Sequence, residues 1–255
     1  MMFLSHLLIN TGENPDRPRP GRLWLRNIYH VHQRLSMAFP SRELKDRDPV
    51  FLQPYDPAAF EPPRFLFRID RGIHGQAMRT MILVQSEDEP DWDYAFQNAP
   101  GLLAAPPQTH ACDWNWREAD RCRFRLLANP TKKTGTLPKE QRKSKVPGRH
   151  GRRVPIYDRE AQVEWLLRNG ERGFAVDPDS LQISVGCFKQ GRKIEFADTD
   201  TKEHNLKFAA VQFDGILSVT DRTKFEAALK KGIGSGKGFG FGLLSVLPAR
   251  DRTNT

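Results

Sequence analysis

The stretch Asp221-Arg-Thr-Lys-Phe-Glu-Ala-Ala-Leu-Lys-Lys-Gly-Ile-Gly-Ser-Gly-Lys-Gly-Phe-Gly-Phe-Gly-Leu-Leu-Ser-Val-Leu247 reads as a helix, a glycine loop and a strand, in that order. Thr220 and Asp221 supply the helix start, and the helix runs to Lys231. Six glycines at alternate positions from Gly232 to Gly242 then leave backbone N–H groups unshielded, with the Lys237 cation in their midst. Such a loop can lie directly against phosphates, which makes Gly234, Gly236, Lys237 and Gly238 candidate contacts. A plain flexible turn is the competing reading. Mononucleotide loops do not fit. Lys231 and Gly238 occupy the positions where a Walker loop needs its first glycine and its hydroxyl, and no Gly-x-Gly-x-x-Gly register closes. Nucleotide loops also run from strand to helix, the reverse of the order here.

Working outward, the second half continues with the strand Arg121-Cys-Arg-Phe-Arg-Leu-Leu-Ala128, whose outward positions are basic. A long basic connector follows from Pro130 to Pro155, and Asp158 caps a helix to about Asn169, with Gly170 beyond it. Leu181 to Val185 and Phe208 to Val219 look extended. The first half carries a strand over residues 3–10 and a connector from Thr11 to Arg22. It continues into one helix bearing Trp24, Ile28, Val31, Leu35 and Phe39, stopped by Pro40. Phe65–Asp70 and Met78–Gln85 form a hairpin, Asp91–Leu103 holds a second helix, and the stretch around Trp114 closes the sheet. Two βαββαβ units in tandem, joined near residues 104–120, are the economical reading: an α+β chain whose sheets offer open faces to RNA.

At 255 residues, with sixteen Phe and five Trp, the chain can bury two cores. No apolar run approaches the ~18 residues of a membrane span. Phe3–Ile9 is too short for a signal peptide and lacks a basic leader. Cys112, Cys122 and Cys187 are widely spaced, which suits a reduced cytoplasmic setting and implies no zinc site. The charge is the more telling quantity. Arg121 to Arg153 contains twelve Lys and Arg against one acid, Glu140, a local +11 against +9 for the whole chain. Concentrated in one segment, that excess suits a polyanion that releases counterions on binding. A solvated loop is the bland alternative.

Seven histidines are present, so choosing one needs geometry. At about 100° per residue, Tyr29, His32 and Ser36 share a stripe beside the apolar face of the first helix, while His30 points almost opposite that face. RNA carries its own nucleophile. Attack of a 2′-OH on the adjacent phosphate needs only positioning, proton transfer and charge neutralisation, which histidine, tyrosine, cations and N–H donors can supply without cofactor or metal.

The glycine loop, the strand Phe124-Arg-Leu-Leu-Ala-Asn-Pro-Thr-Lys132, and Tyr29-His-Val-His-Gln33 together resemble the CasE-type CRISPR repeat-processing endoribonucleases of type I-E systems, in the RAMP superfamily. Val154-Pro-Ile156 and Trp165-Leu166 also fit, and the resemblance runs nearly end to end. It implies tandem ferredoxin-like (RRM-like) domains: 1–112 with the catalytic helix, and 113–255 with the basic segment and the glycine loop. It also implies cleavage at the base of a CRISPR repeat stem-loop, leaving 5′-OH and 2′,3′-cyclic phosphate ends, and retention of the product within Cascade alongside other subunits. Tyr29 and His32 match the catalytic positions. Arg123, Arg125, Lys132, Lys133, Arg142, Lys143, Lys145, Arg149, Arg152 and Arg153 become candidate RNA contacts, with Lys237 supporting the RNA backbone. His30 adjoins the motif as an alternative to His32, and the connector 11–22 looks longer than the family requires. A rival reading is a non-catalytic RNA hairpin-binding module that makes no use of Tyr29 and His32.

Overall fold

Alternation of buried and partly exposed residues builds the first strand, β1 (Met2–Ile9), which puts Ser5, Leu7 and Ile9 against a core. The computed structural model describes residues 1–12, 19–40, 65–71, 80–133, 153–186, 189–196 and 201–249. After β1 come the helices α1 (Pro20–Arg26) and α2 (Ile28–Ser36), then strands β2 (Phe65–Arg71) and β3 (Thr80–Ser86). A short helix α3 (Trp92–Phe96) and strand β4 (Gln108–Cys112) complete this half. The sheet is antiparallel throughout, in the order β2-β3-β1-β4. One face carries Leu7, Ile9, Phe67, Ile82 and Val84, covered by Ile28, Val31 and Leu35 of α2 and Trp92 and Phe96 of α3.

The expected single helix over Trp24–Phe39 is two. Asn27 is extended at φ −114° and ψ 100°, and its side chain accepts the N–H of Tyr29, so it ends α1 and caps α2 in one residue. The expected connector to Arg22 also stops earlier, because Pro20 occupies the first turn of α1. The helix expected over Asp91–Leu103 shrinks to α3, capped by Asp91, plus one 3₁₀ turn at Pro100–Leu102. The closing strand lies before Trp114, which packs instead on the second core.

The second half begins with β5 (Arg121–Ala128), followed by the short strands β6 (Thr131–Lys133) and β7 (Arg153–Pro155). These last two pair with each other, so the long basic connector starts and ends as a ribbon. Helix α4 (Arg159–Arg168) and the strands β8 (Phe174–Val176), β9 (Gln182–Val185), β10 (Lys189–Phe196), β11 (Thr201–Phe208) and β12 (Val211–Val219) follow, then α5 (Arg222–Lys231) and β13 (Leu244–Pro248). The second sheet has the order β13-β5-β12-β8, with β9 also on β12, again antiparallel. Read along each chain segment, both sheets share one strand order. Phe124, Leu126, Phe213 and Leu217 form the second core with Trp165 and Leu166 of α4 and Phe225 and Leu229 of α5. The β10–β11 hairpin was not expected from the sequence. It pairs from Lys189↔Phe208 to Phe196↔Thr201, and β10 packs against α2 of the other half.

A third cluster joins the halves: Leu66 and Leu83 on the far face of the first sheet meet Leu243, immediately before the last strand. Beside it, the buried Arg68 forks onto both oxygens of Asp70 at 2.7 and 2.9 Å and donates to Ser245 Oγ at 2.8 Å. Gln85 Nε2 donates to the Leu229 carbonyl at 2.8 Å. Gly232 sits in this joint at φ 71°, where an added Cβ would lie 2.8 Å from Leu66 Cδ1 and 2.9 Å from the Gly242 carbonyl. Gly232→Ala is therefore expected to destabilise the protein by about 1–3 kcal/mol. Gly170→Ala, with nothing within 4 Å of its added methyl, should stay within about 0.5 kcal/mol. Urea denaturation of the two variants checks the contrast.

Candidate active site

Asn27 fixes where α2 begins, and so decides which of its residues face outward beside the core. Val31 and Leu35 are buried, His30 is exposed, and Tyr29 and His32 lie between these extremes. The carbonyl of His30 accepts Trp24 Nε1 at 3.2 Å. Ser36, on the same stripe as Tyr29 and His32, is buried and its hydroxyl donates to the carbonyl of His32 at 2.9 Å, so it is spent within the helix. Arg34 ties α2 to the end of α3 through the Ala95 carbonyl at 3.0 Å and Asn98 Oδ1 at 2.7 Å.

The imidazole of His32 lies nearly parallel to Phe65, with centroids 5.2 Å apart and planes at 23°, and to Phe67 at 6.2 Å and 20°. Burial among these rings disfavours the imidazolium and pushes the His32 pKa down from 6.5 to about 4. At neutral pH the ring is uncharged and available as a proton acceptor.

Against this ring comes the glycine loop. A Cβ built on Gly238 would stand 3.7 Å from both Cε1 and Nε2 of His32, so the loop backbone faces the Cε1–Nε2 edge with room for a methyl group between them. The intervening side chains are anchors. Ile233 and Phe241 are fully buried, and Phe239 packs on the first core and against Phe208 at 4.6 Å. Gly234 and Gly236 take φ 82° and 80°, and a Cβ on Gly234 would strike Trp165 at 2.9 Å. The alternation of glycine with apolar residues is thus a packing requirement as much as a binding feature. The expected row of open N–H groups is correspondingly shorter. Ile233 donates to Gly242 at 2.9 Å, Phe239 to Gly236 at 2.9 Å, Gly240 to Lys237 at 3.1 Å and Gly242 to Leu127 at 2.8 Å. The N–H groups of Gly234 through Gly238 have no protein acceptor among the described residues.

Lys237 lies in this open run. Its pKa is drawn below the ordinary lysine value by partial burial and by the nearby charges of Arg172 and Lys231. No local sequence signal marks those two cations, which come from a 3₁₀ turn after α4 and from the end of α5. The basic ribbon is tied to the loop at its base. Arg153 Nη1 donates to Thr131 Oγ1 at 3.2 Å, Thr131 Oγ1 lies 3.4 Å from Ser235 Oγ, and that hydroxyl also reaches the Asn129 carbonyl at 3.4 Å. Lys132 and Lys133 extend from the same ribbon.

Arg123 and Arg125 lie elsewhere. They occupy the exposed face of β5, where Arg125 Nε pairs with Asp214 Oδ1 at 2.6 Å. Arg125 is in register with Ser245, which Arg68 reaches from the face of the first sheet opposite the one that carries Phe67 and meets His32. Arg142, Lys143, Lys145, Arg149 and Arg152 lie outside the described residues. Among the described residues no three His, Cys, Asp or Glu side chains converge as metal ligands would, and no helix is long and apolar enough to cross a membrane.

A family model described as CRISPR associated protein matches residues 2–248, and the chain belongs to that family. The CRISPR-associated endoribonuclease Cse3 of Thermus thermophilus is 30% identical over 258 residues, spanning 97% of this chain and 100% of that relative. The CRISPR system Cascade subunit CasE of Escherichia coli K12 is 27% identical over 253 residues, again spanning 97% and 100%. Among solved structures, Thermus thermophilus Cse3 bound to an RNA representing a pre-cleavage complex superposes with a TM-score of 0.64 at 28% identity, covering 97% of this chain and 99% of that one.

Because the folded-state pKa of His32 lies below its ordinary value, the fold opposes its protonation. The associated stability is complete above about pH 6.5 and is lost as the pH falls toward 4. NMR titration of the histidine ring carbons is expected to show His32 changing state near pH 4. A midpoint near 6.5 would contradict the desolvated placement.

Proposed function

We propose that this chain is a metal-independent endoribonuclease that binds the stem-loop of CRISPR repeat RNA and cleaves the precursor at the base of the stem. The observation that carries this reading is the meeting of a neutral, desolvated His32 with the open N–H run of Gly234–Gly238. One side of that junction accepts a proton and the other accepts a phosphate. His32 takes the proton of the 2′-OH, and O2′ attacks the adjacent phosphorus as the P–O5′ bond breaks. The products are a 2′,3′-cyclic phosphate and a 5′-OH once O5′ has gained a proton. General base catalysis of this kind contributes roughly 100- to 10,000-fold. Tyr29, one turn earlier on the same stripe, orients the reacting nucleotide. The loop N–H groups and Lys237 stabilise the charge of the phosphorane, which is strongest when the donors are already in place before the reaction.

The basic ribbon holds the stem. Lys132, Lys133 and Arg153 continue from the loop through Thr131 and Ser235, so duplex phosphates and the scissile phosphate are gripped by one connected surface. We assign the two sheets to tandem ferredoxin-like units, residues 1–112 and 113–255, supported by their common strand order. The name of the Escherichia coli relative supports assembly with other Cascade subunits, and this reading extends to retention of the product RNA there and to a cytoplasmic location.

The test is cleavage of the host's repeat hairpin in excess EDTA. Wild type and His30→Ala should yield a cyclic phosphate end, while His32→Ala should lose at least about 100-fold in rate with binding kept. Hairpin binding by wild type without cleavage would leave a binding module and refute the catalytic assignment. Lys132→Ala or Lys133→Ala is expected to weaken hairpin binding and to lower the slope of log affinity against log salt by about one, as loss of one phosphate contact requires. Fluorescence anisotropy across a salt series reads that slope.

A further inference from the structure

Placing His32 on α2 does not by itself place its reactive nitrogen. The helix fixes Cβ, but the outer torsion of a histidine side chain is broad and roughly two-fold, so the plane of the ring must be set from outside. Here it is set by strand β2. Phe65 and Phe67 alternate onto the face of the sheet that meets α2, and both lie nearly parallel to the imidazole. Phe65 is the closer ring, and it also stacks on Phe39 at 5.4 Å and 19°. Phe39 in turn meets Trp92 edge-on at 6.3 Å. His32 is therefore the outer member of an aromatic column rooted in the first core. Its remaining edge, Cε1–Nε2, is the one that faces Gly238.

We propose that Phe65 is a positioning residue for RNA cleavage, holding the imidazole of His32 in the plane that presents Nε2 to the RNA backbone across Gly238. The inference rests on the reading of His32 as the proton acceptor. Phe65 is not itself a catalytic residue, since it acts through its neighbour. Phe67 is fully buried and more distant from the imidazole, so its role is chiefly to fill the core. The column also accounts for an aromatic rather than a branched aliphatic at residue 65. A flat face keeps a second flat ring parallel, whereas a leucine of similar volume fills space without fixing a plane.

Three variants separate positioning from packing. Phe65→Leu removes the ring, Phe65→Tyr keeps it, and Phe39→Leu removes the far neighbour of Phe65 without touching His32. The measurements are the single-turnover rate on the repeat hairpin, the affinity for a hairpin with a 2′-deoxy substitution at the cleavage site, and the His32 Cε1–H resonance in histidine-labelled protein. Phe65→Leu is expected to cleave about 10- to 100-fold more slowly with affinity within about two-fold, and to shift the His32 resonance as the ring current is lost. Phe65→Tyr should retain rate and resonance. Phe39→Leu should lower thermal stability as much as Phe65→Leu while keeping most of the rate. Wild-type cleavage by Phe65→Leu, or equal rate loss in Phe39→Leu, would overturn the inference. So would failure of Phe65→Tyr alongside Phe65→Leu. Absence of cleavage by wild type would instead overturn the functional reading and, with it, this one, and is seen in the wild-type reaction alone.

Discussion

The joint between the halves is the constraint on which everything else rests. Leu66, Leu83 and Leu243 pack across it, Arg68 spans it to Ser245, and Gln85 reaches the Leu229 carbonyl. The residues from Leu229 to Ser245 enclose the glycine loop on both sides. Fixing those two ends against the first sheet leaves the loop between them no choice but to pass α2. Removing Asp70 would leave the buried Arg68 guanidinium without its carboxylate, at a cost below the ~3–5 kcal/mol of a fully buried pair because Asp70 is itself 23% exposed. A site shared between two halves is thus held by interactions that lie outside the site itself.

The chemistry of the site follows from how water is excluded. His32 is kept neutral by rings on one side and loop backbone on the other, with no acid required to tune it. Cations are placed along the periphery instead: Lys237 beside Arg172 and Lys231, then Lys132, Lys133 and Arg153 on the ribbon. Mutual repulsion within the first group is relieved when a polyanion arrives, which couples binding of the strand to completion of the site. In the proposed reaction, proton transfer and charge neutralisation fall to different residues, and each is built by local structure suited to it.

Much of this was legible in the sequence because its signals were local. The apolar spacing through Val31 and Leu35 fixed the core face of α2 and hence the positions of Tyr29 and His32 beside it. Glycine alternation marked a special backbone between α5 and β13. What was not legible depended on competition or on distance. Asn27 splits the first helix because a cap at that position outcompetes one more helical turn, and periodicity alone extends through such a break. The β10–β11 hairpin escaped because most of its positions are charged, polar or glycine, and its apolar residues are confined to Ile194, Phe196, Leu206 and Phe208. Several of the loop N–H groups proved to be bonded already, some within the loop and that of Gly242 to Leu127 on another strand, a partner no local pattern reveals. Phe65 and Phe67 were visible as strand residues, but their contact with His32 arises only when β2 is laid under α2. Arg123 and Arg125 adjoin the basic segment in sequence, but the pleat puts them on the exposed face of β5, beside Asp214 and Ser245.

The most direct test of a shared site is a crystal structure with a repeat hairpin carrying a 2′-deoxy nucleotide at the cleavage position. The account requires the scissile phosphate to lie between His32 Nε2 and the N–H groups of Gly234–Gly238, within hydrogen-bonding distance of at least one of them, about 3 Å. A phosphate backbone that instead followed the Arg123 and Arg125 face, with His32 unapproached, would contradict it.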